Sequence, residues 1–340
     1  MLLKKLTESS GVSGNEQEVR ALIIQEIKDK VDHIQIDNLG NVIAYKKGKG
    51  NVNKKVMLCA HMDEVGLIIT SIESDGLLKF KPVGGIDPRI LVSKVVNIGE
   101  NKIPGVIGAK AIHLQEPKER EKALKVSELY IDIGATSKEE AEKIIDLGDY
   151  ATFHSKYIEF GDGLIKAKAL DDRVGCAIIT QMLDEDYDFT LYAVFTVQEE
   201  VGLRGAGVAA FDVDPDIALV IEGTTCSDVP GTAEHEYATK LGHGPAISIM
   251  DMASYSDKNI SRMLYELGKS NNIPVQYKKT TFGGNDAGAI HLTKEGIRTG
   301  AISIPCRYIH SPSSVMSLND YKGCRDIVRF FLEHIEKGEI

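Results

Sequence analysis

Tryptophan is absent from this chain of 340 residues, and aromatic side chains make up only 6% of it. A protein that grips sugars by stacking them on aromatic faces has little here to do it with. Cysteine is scarce: Cys59, Cys176, Cys226, Cys306 and Cys324 are odd in number, scattered, and never spaced as CxxC. That excludes a disulfide framework and a thiolate zinc knot, so reduced core thiols are expected. No apolar run approaches the roughly 18 to 20 residues of a membrane span, and MLLKKLTESSG lacks the apolar core of a signal peptide. A cytoplasmic protein with no membrane partner is the expectation. Positive charge is also short, with 40 Lys and Arg against 50 Asp and Glu for a net −10, which argues against nucleic acid. What remains is 43% hydrophobic and 26% charged, the composition of a globular protein long enough for two domains.

The hydrophobic pattern divides the chain. LKKLTESSGVSGNEQEVRALIIQEIKDKVD reads as two short amphipathic helices, with Asn15 as cap of the second. HIQIDNLGNVIAYKKG and KKVMLCAHMDEVG read as strands. From about residue 67 the pattern becomes short strand-like pieces broken by glycine and proline, interrupted by a charged stretch and by a helix predicted over TSKEEAEKIIDLG. After about residue 164, helix and strand alternate again. The expected architecture is α/β: a sheet flanked by helices, formed by 1–66 and 164–340, with a β-rich domain inserted at 67–163.

In open α/β sheets, ligands gather at the carboxyl ends of strands. His61, Met62 and Asp63 follow VMLCA; Gln198, Glu199 and Glu200 follow LYAVFTV; Glu222 follows IALVI; Arg307 to His310 follow GAISIP; Asp171 and Asp172 precede a helix. Each alone reads as a surface turn, a solvated loop or a helix cap. Together they bring four or more carboxylates to one mouth, where they would repel one another unless positive charge sat between them. Histidines and carboxylates without thiolate suit two zinc-like divalent ions, and a bridging carboxylate lets two such ions share a water. One of the adjacent glutamates can then bind metal while the other faces that water as a base.

CAHMDEVGLIIT, KALDDRVGC, FTVQEEVGLRGA, SDVPG, GGNDAGAIH and IPCRYIHSPSSV, which span nearly the whole chain, resemble the M42 family of di-metal aminopeptidases, similar to the tetrahedral TET enzymes. The resemblance implies that His61 binds one metal and Glu200 with His310 the other, that Asp171 bridges, and that Glu199 is the general base. Asp63 would orient the His61 ring. The remaining ligand falls at Glu222, where the family is expected to have aspartate, a longer arm with the same oxygen chemistry. Asp228 is expected to shape a turn ahead of Pro230. Gly283 and Gly284 are candidates for lining the substrate site. The resemblance further implies zinc, cobalt or manganese, peptide substrates, and a homo-oligomer of dimers up to a tetrahedral dodecamer, with the inserted domain as dimerisation unit. Two other readings stand beside it. One is a two-carboxylate, endoglucanase-like glycoside hydrolase using Glu199 with Asp171 or Glu222; the other is a non-catalytic metal-binding scaffold.

Overall fold

The computed structural model describes residues 1–338. At its centre, Thr190–Thr196, Lys55–His61, Ile217–Thr225 and Arg298–Arg307 lie side by side in that order, all parallel. Parallel neighbours need crossovers, and the helices Leu170–Met182, Arg204–Val213 and Lys258–Ser270 supply them. Antiparallel strands extend both flanks, Val42–Lys46 and His33–Ile36 on one, Ser314–Ser317, Leu164–Ala167 and Ile158–Phe160 on the other. The result is a mixed sheet with a parallel core.

Alternation along the central strands feeds two hydrophobic layers. Val56, Leu58, Leu219, Ile221, Ile302 and Ile304 meet the larger group of helices, which includes Leu170–Met182 and the terminal Leu318–Glu336. Met57, Cys59, Val194, Ala218, Val220 and Ala301 point the other way, toward Arg204–Val213 and Ala287–Ile290. Cover on both faces is why these strands read as unbroken apolar runs. Each buried aliphatic side chain contributes about 1.5–3 kcal/mol relative to exposure.

After His61 the chain leaves the sheet and builds a closed six-stranded barrel, beginning at Gly66–Ile72 and ending at Tyr150–Phe153. The barrel has its own core, including Leu67, Phe80, Ile98, Ile107, Ile131 and Phe153. Ile158–Phe160 falls inside the 67–163 span of the expected insertion but pairs into the large sheet.

Two local expectations change. Glu16, not Asn15, stands at the start of the helix Gln17–Ile27: the Glu16 carbonyl accepts from Arg20 N–H, while Asn15 closes the preceding turn by donating its N–H to Val12 O. TSKEEAEKIIDLG forms only the short helix Lys138–Ala141, after which hydrogen bonds such as Lys143 to Glu140 and Ile144 to Ala141 tighten the chain into turns. Among the described residues, no helix is long and apolar enough to cross a membrane.

Candidate metal centre

Parallel pairing brings the polar strand ends together. Thr196 lies opposite His61 in register, and the chain beyond it turns through Gln198, in the left-handed region at φ 57°, into Glu199 and Glu200. Glu222 sits inside Ile217–Thr225 and not after it, because pairing with Arg298–Arg307 continues through Thr225. It shares the face of Ala218 and Val220, as His61 shares that of Met57 and Cys59. Glu222 and His61 therefore look out of the same side of the sheet. The neighbouring Gly223 lets a third element approach: a Cβ there would lie 2.9 Å from the Cβ of Asp171.

Asp171 and Asp172 open the helix Leu170–Met182 with non-helical backbone angles. Asp172 turns inward and accepts from the backbone of Gly175 at 3.0 Å and of His61 at 3.2 Å, leaving Asp171 to face the histidines. His310 arrives from the loop after Arg298–Arg307. Arg307 anchors that loop through two hydrogen bonds to Asp228, at 2.8 and 2.7 Å, so Asp228 is a loop anchor. Ala169, Tyr308 and His310 also have φ of 50° to 57°. Backbone held in that region costs about 1–3 kcal/mol per residue, and such residues gather at functional sites.

His61 Nε2 lies 3.4 Å from Asp171 Oδ1 and 3.9 Å from Glu199 Oε2. His310 Nε2 lies 3.6 Å from Asp171 Oδ2 and 3.2 Å from Glu200 Oε2. The far nitrogens meet carbonyls: His61 Nδ1 is 3.1 Å from Asp63 O, and His310 Nδ1 is 2.9 Å from Gly85 O, a residue of the barrel segment. A ring that donates Nδ1–H to its carbonyl leaves Nε2, the atom facing Asp171, as the one that can bind a cation. The Asp63 carboxylate is 3.5 Å from His61 Nδ1, and it also accepts from Ser13 Oγ at 2.6 Å and from the backbone of Glu199 and Glu200 at 3.0 and 3.1 Å. It thus fixes the adjacent glutamates as well as bordering the ring.

Three donor groups overlap here: His61 with Glu199 and Glu200; His61 with Asp171 and Glu222; Asp171 with Glu200 and His310. Within each, the donor atoms all lie within 4.8 Å of one another. Burial pushes Glu199 well above the usual carboxylate range, reinforced by Asp286, Glu200 and Asp171. Burial does the same to Glu222, with Asp171 and Glu199 adding to it, and carries Glu200 to about 7. Burial alone would lower both histidines, but the facing carboxylates outweigh it, raising His61 well above its ordinary value and His310 to about 9. Against burial, the facing imidazoles of His310 and His61 hold Asp171 low. Without a cation the cluster therefore draws in protons. His61 Nε2 and Asp171 Oδ1 are also buried without a hydrogen-bond partner, a state costing about 1–3 kcal/mol per atom. Imidazole and carboxylate donors without thiolate fit a borderline divalent ion.

The M42 glutamyl aminopeptidase family model matches residues 40–327. The chain belongs to this peptidase family. It is similar to the solved structure of an aminopeptidase from the archaeon Desulfurococcus kamchatkensis, at 42% identity and a TM-score of 0.93, covering 98% of this chain and 93% of that one. The Pyrococcus horikoshii TET1 peptidase, which can assemble into a tetrahedron or a large octahedral shell, is 35% identical with a TM-score of 0.85, over 96% of this chain and 97% of its own. An endoglucanase of Thermotoga maritima is 39% identical with a TM-score of 0.81, over 99% and 97%. Membership makes this M42 chain a peptide-bond hydrolase, and the metallopeptidase family implies divalent metal ions.

The sequence reading passed over several residues around the centre. Glu64 is buried between Lys168, whose Nζ is 2.6 Å away, and Arg173 at 3.4 Å. Lys168 also donates to Ser9 O, and Arg173 to Leu6 O, so the N-terminal helix is tied to the segments carrying Asp63 and Asp171. KALDDR offered the signal: a lysine and an arginine flanking the aspartates at the start of an apolar helix. Removing the shared anion with Glu64→Ala strands two buried cations and should cost about 3–5 kcal/mol, read by urea unfolding. A loss under about 1 kcal/mol would show the network to be dispensable.

Asp286, within GGNDAGAIH, is buried and accepts from Thr196 Oγ1 at 2.5 Å, with burial raising it to about 6. The glycines before it do local packing work: a Cβ on Gly284 would meet Ala253 Cβ at 2.7 Å, and Gly283 O accepts from Met252 N.

Proposed function

We propose that this M42 aminopeptidase works with two divalent ions, zinc, cobalt or manganese, held by His61, Asp171 and Glu222 on one side and by Asp171, Glu200 and His310 on the other. The observation that carries this reading is Asp171, whose two oxygens face the Nε2 atoms of two different histidines. Ions bound there supply Lewis acidity and lower the pKa of water toward neutrality. The chain's own residues do the rest. Glu199 accepts the proton of the attacking water and returns it to the leaving amine. Asp63 positions Glu199 and Glu200 through their backbone N–H groups. Glu222 reaches from within its strand, where the extra methylene offsets a start point short of the strand end. Gly283 and Gly284 hold the Asp286 loop against Ala253 beside the substrate site.

The likeness to the TET1 peptidase supports a homo-oligomer; in this reading its unit is a dimer joined through the barrel. Five unpaired, buried cysteines support a reducing, cytoplasmic setting.

Chelator-stripped enzyme is assayed on aminoacyl-4-nitroanilides and an N-acetylated control, with and without Zn²⁺, Co²⁺ or Mn²⁺. Metal-restored cleavage of the free amines alone is expected. Cleavage of the blocked control would remove the exopeptidase assignment. The endoglucanase relative keeps the two-carboxylate reading in view, but that chemistry leaves His61 and His310 without work. Turnover of a cellulose-like substrate in the presence of chelator would favour it.

A further inference from the structure

The centre is closed on one side and open on the other. His61 is 2% exposed and Glu222 7%, whereas the His310 side chain is 34% exposed. On the open side His310 borders a cavity of about 530 Å³ lined by residues of the barrel segment 85–94 and the loop 308–313. An exopeptidase holds the N-terminal residue at a closed end, and the rest of the substrate must pass through the open one. Resting on the aminopeptidase reading, the downstream peptide therefore runs past His310 into this cavity.

The walls show what the cavity would recognise. Ile90 and Tyr308 offer apolar surface. Asp87 is neutralised by Arg89, whose Nε donates to its carboxylate at 2.8 and 3.0 Å. Lys94 is different. Its backbone is fixed, with N–H donated to Leu91 O and its carbonyl accepting from Ile107 N, and the residue, partly buried as a whole, lines the cavity with no side-chain hydrogen bond or ion pair among the described residues. A lysine with an anchored backbone and no carboxylate partner, lining a cavity beside His310, favours an anion there.

We infer that Lys94 binds the C-terminal carboxylate of short peptide substrates, making the barrel a part of the peptide-binding site and the enzyme selective for small oligopeptides with free C-termini.

The test compares kcat/KM for di- and tripeptides with that for the same peptides carrying C-terminal amides, using metal-loaded enzyme. Hydrogen bonds to charged groups predict a preference for the free acid of about ten- to hundredfold, carried mainly by KM. Lys94→Met should bring the acid-to-amide ratio to about one, and Lys94→Arg should restore it. A wild-type ratio near one, or an unchanged ratio in Lys94→Met, overturns the assignment of Lys94. Turnover of aminoacyl-nitroanilides separates the two readings: if wild type cleaves them while the ratio is one, only this inference fails. If it cleaves neither nitroanilides nor peptides, both fail.

Discussion

Glu199→Gln should lower kcat by about 10²- to 10⁴-fold and leave the metal content of the enzyme unchanged. The substitution keeps the side chain's length and the backbone N–H that Asp63 holds at 3.0 Å, so the geometry of the loop survives. What it removes is the capacity to take a proton. Glu200, whose carboxylate faces His310 at 3.2 Å, cannot replace it, because that oxygen is turned toward the other histidine. An interaction needed only in the transition state shows as a loss in kcat with KM little changed. The measurement pairs nitroanilide kinetics with metal analysis of the same preparation. Near-normal turnover would remove Glu199 from the proton transfer. Loss of an ion together with activity would instead make it a ligand, which its distance of 3.9 Å to His61 Nε2 makes a real competitor.

How far the sequence reveals such a site depends on the range of the interactions that build it. The central strands were legible because burial on both faces leaves a continuous apolar signature, and the polar residue ending each run marks the carboxyl edge. His61, Glu199, Glu200 and His310 were visible in that way. Glu222 was visible as a residue but not in its setting: IALVI marks where apolarity stops, whereas pairing carries the strand on to Thr225. Asp286 stayed hidden because its partner, the Thr196 hydroxyl, lies ninety residues away in the chain. Gly85 lay beyond reach for a stronger reason. Its contribution is a backbone carbonyl to His310, which any residue type could offer. Lys168 and Arg173 flank the aspartates of KALDDR in the sequence, but their partner Glu64 lies about a hundred residues away in the chain and only the fold buries them against it.

Asp171→Ala should abolish binding of both ions, whereas His310→Ala should weaken chiefly one. The asymmetry follows from the overlap of the donor groups: Asp171 belongs with His61 and Glu222 and again with Glu200 and His310, while His310 belongs to a single group. Gly223 strengthens the case, since the strand gives up a side chain at the point where Asp171 comes against it. Without the shared carboxylate, Glu199, Glu200 and Glu222 remain, but no single residue offers an oxygen to each histidine. Two readouts besides activity follow. Metal analysis should find about two ions per wild-type chain and almost none in Asp171→Ala. Thermal unfolding should show wild type stabilised on metal addition, by about 4 kcal/mol when the free ion stands at a thousand times its dissociation constant, and the variant unmoved. Two ions retained by the variant would end the bridging assignment. One ion retained would place Asp171 at a single metal and leave the water between the ions to some other bridge.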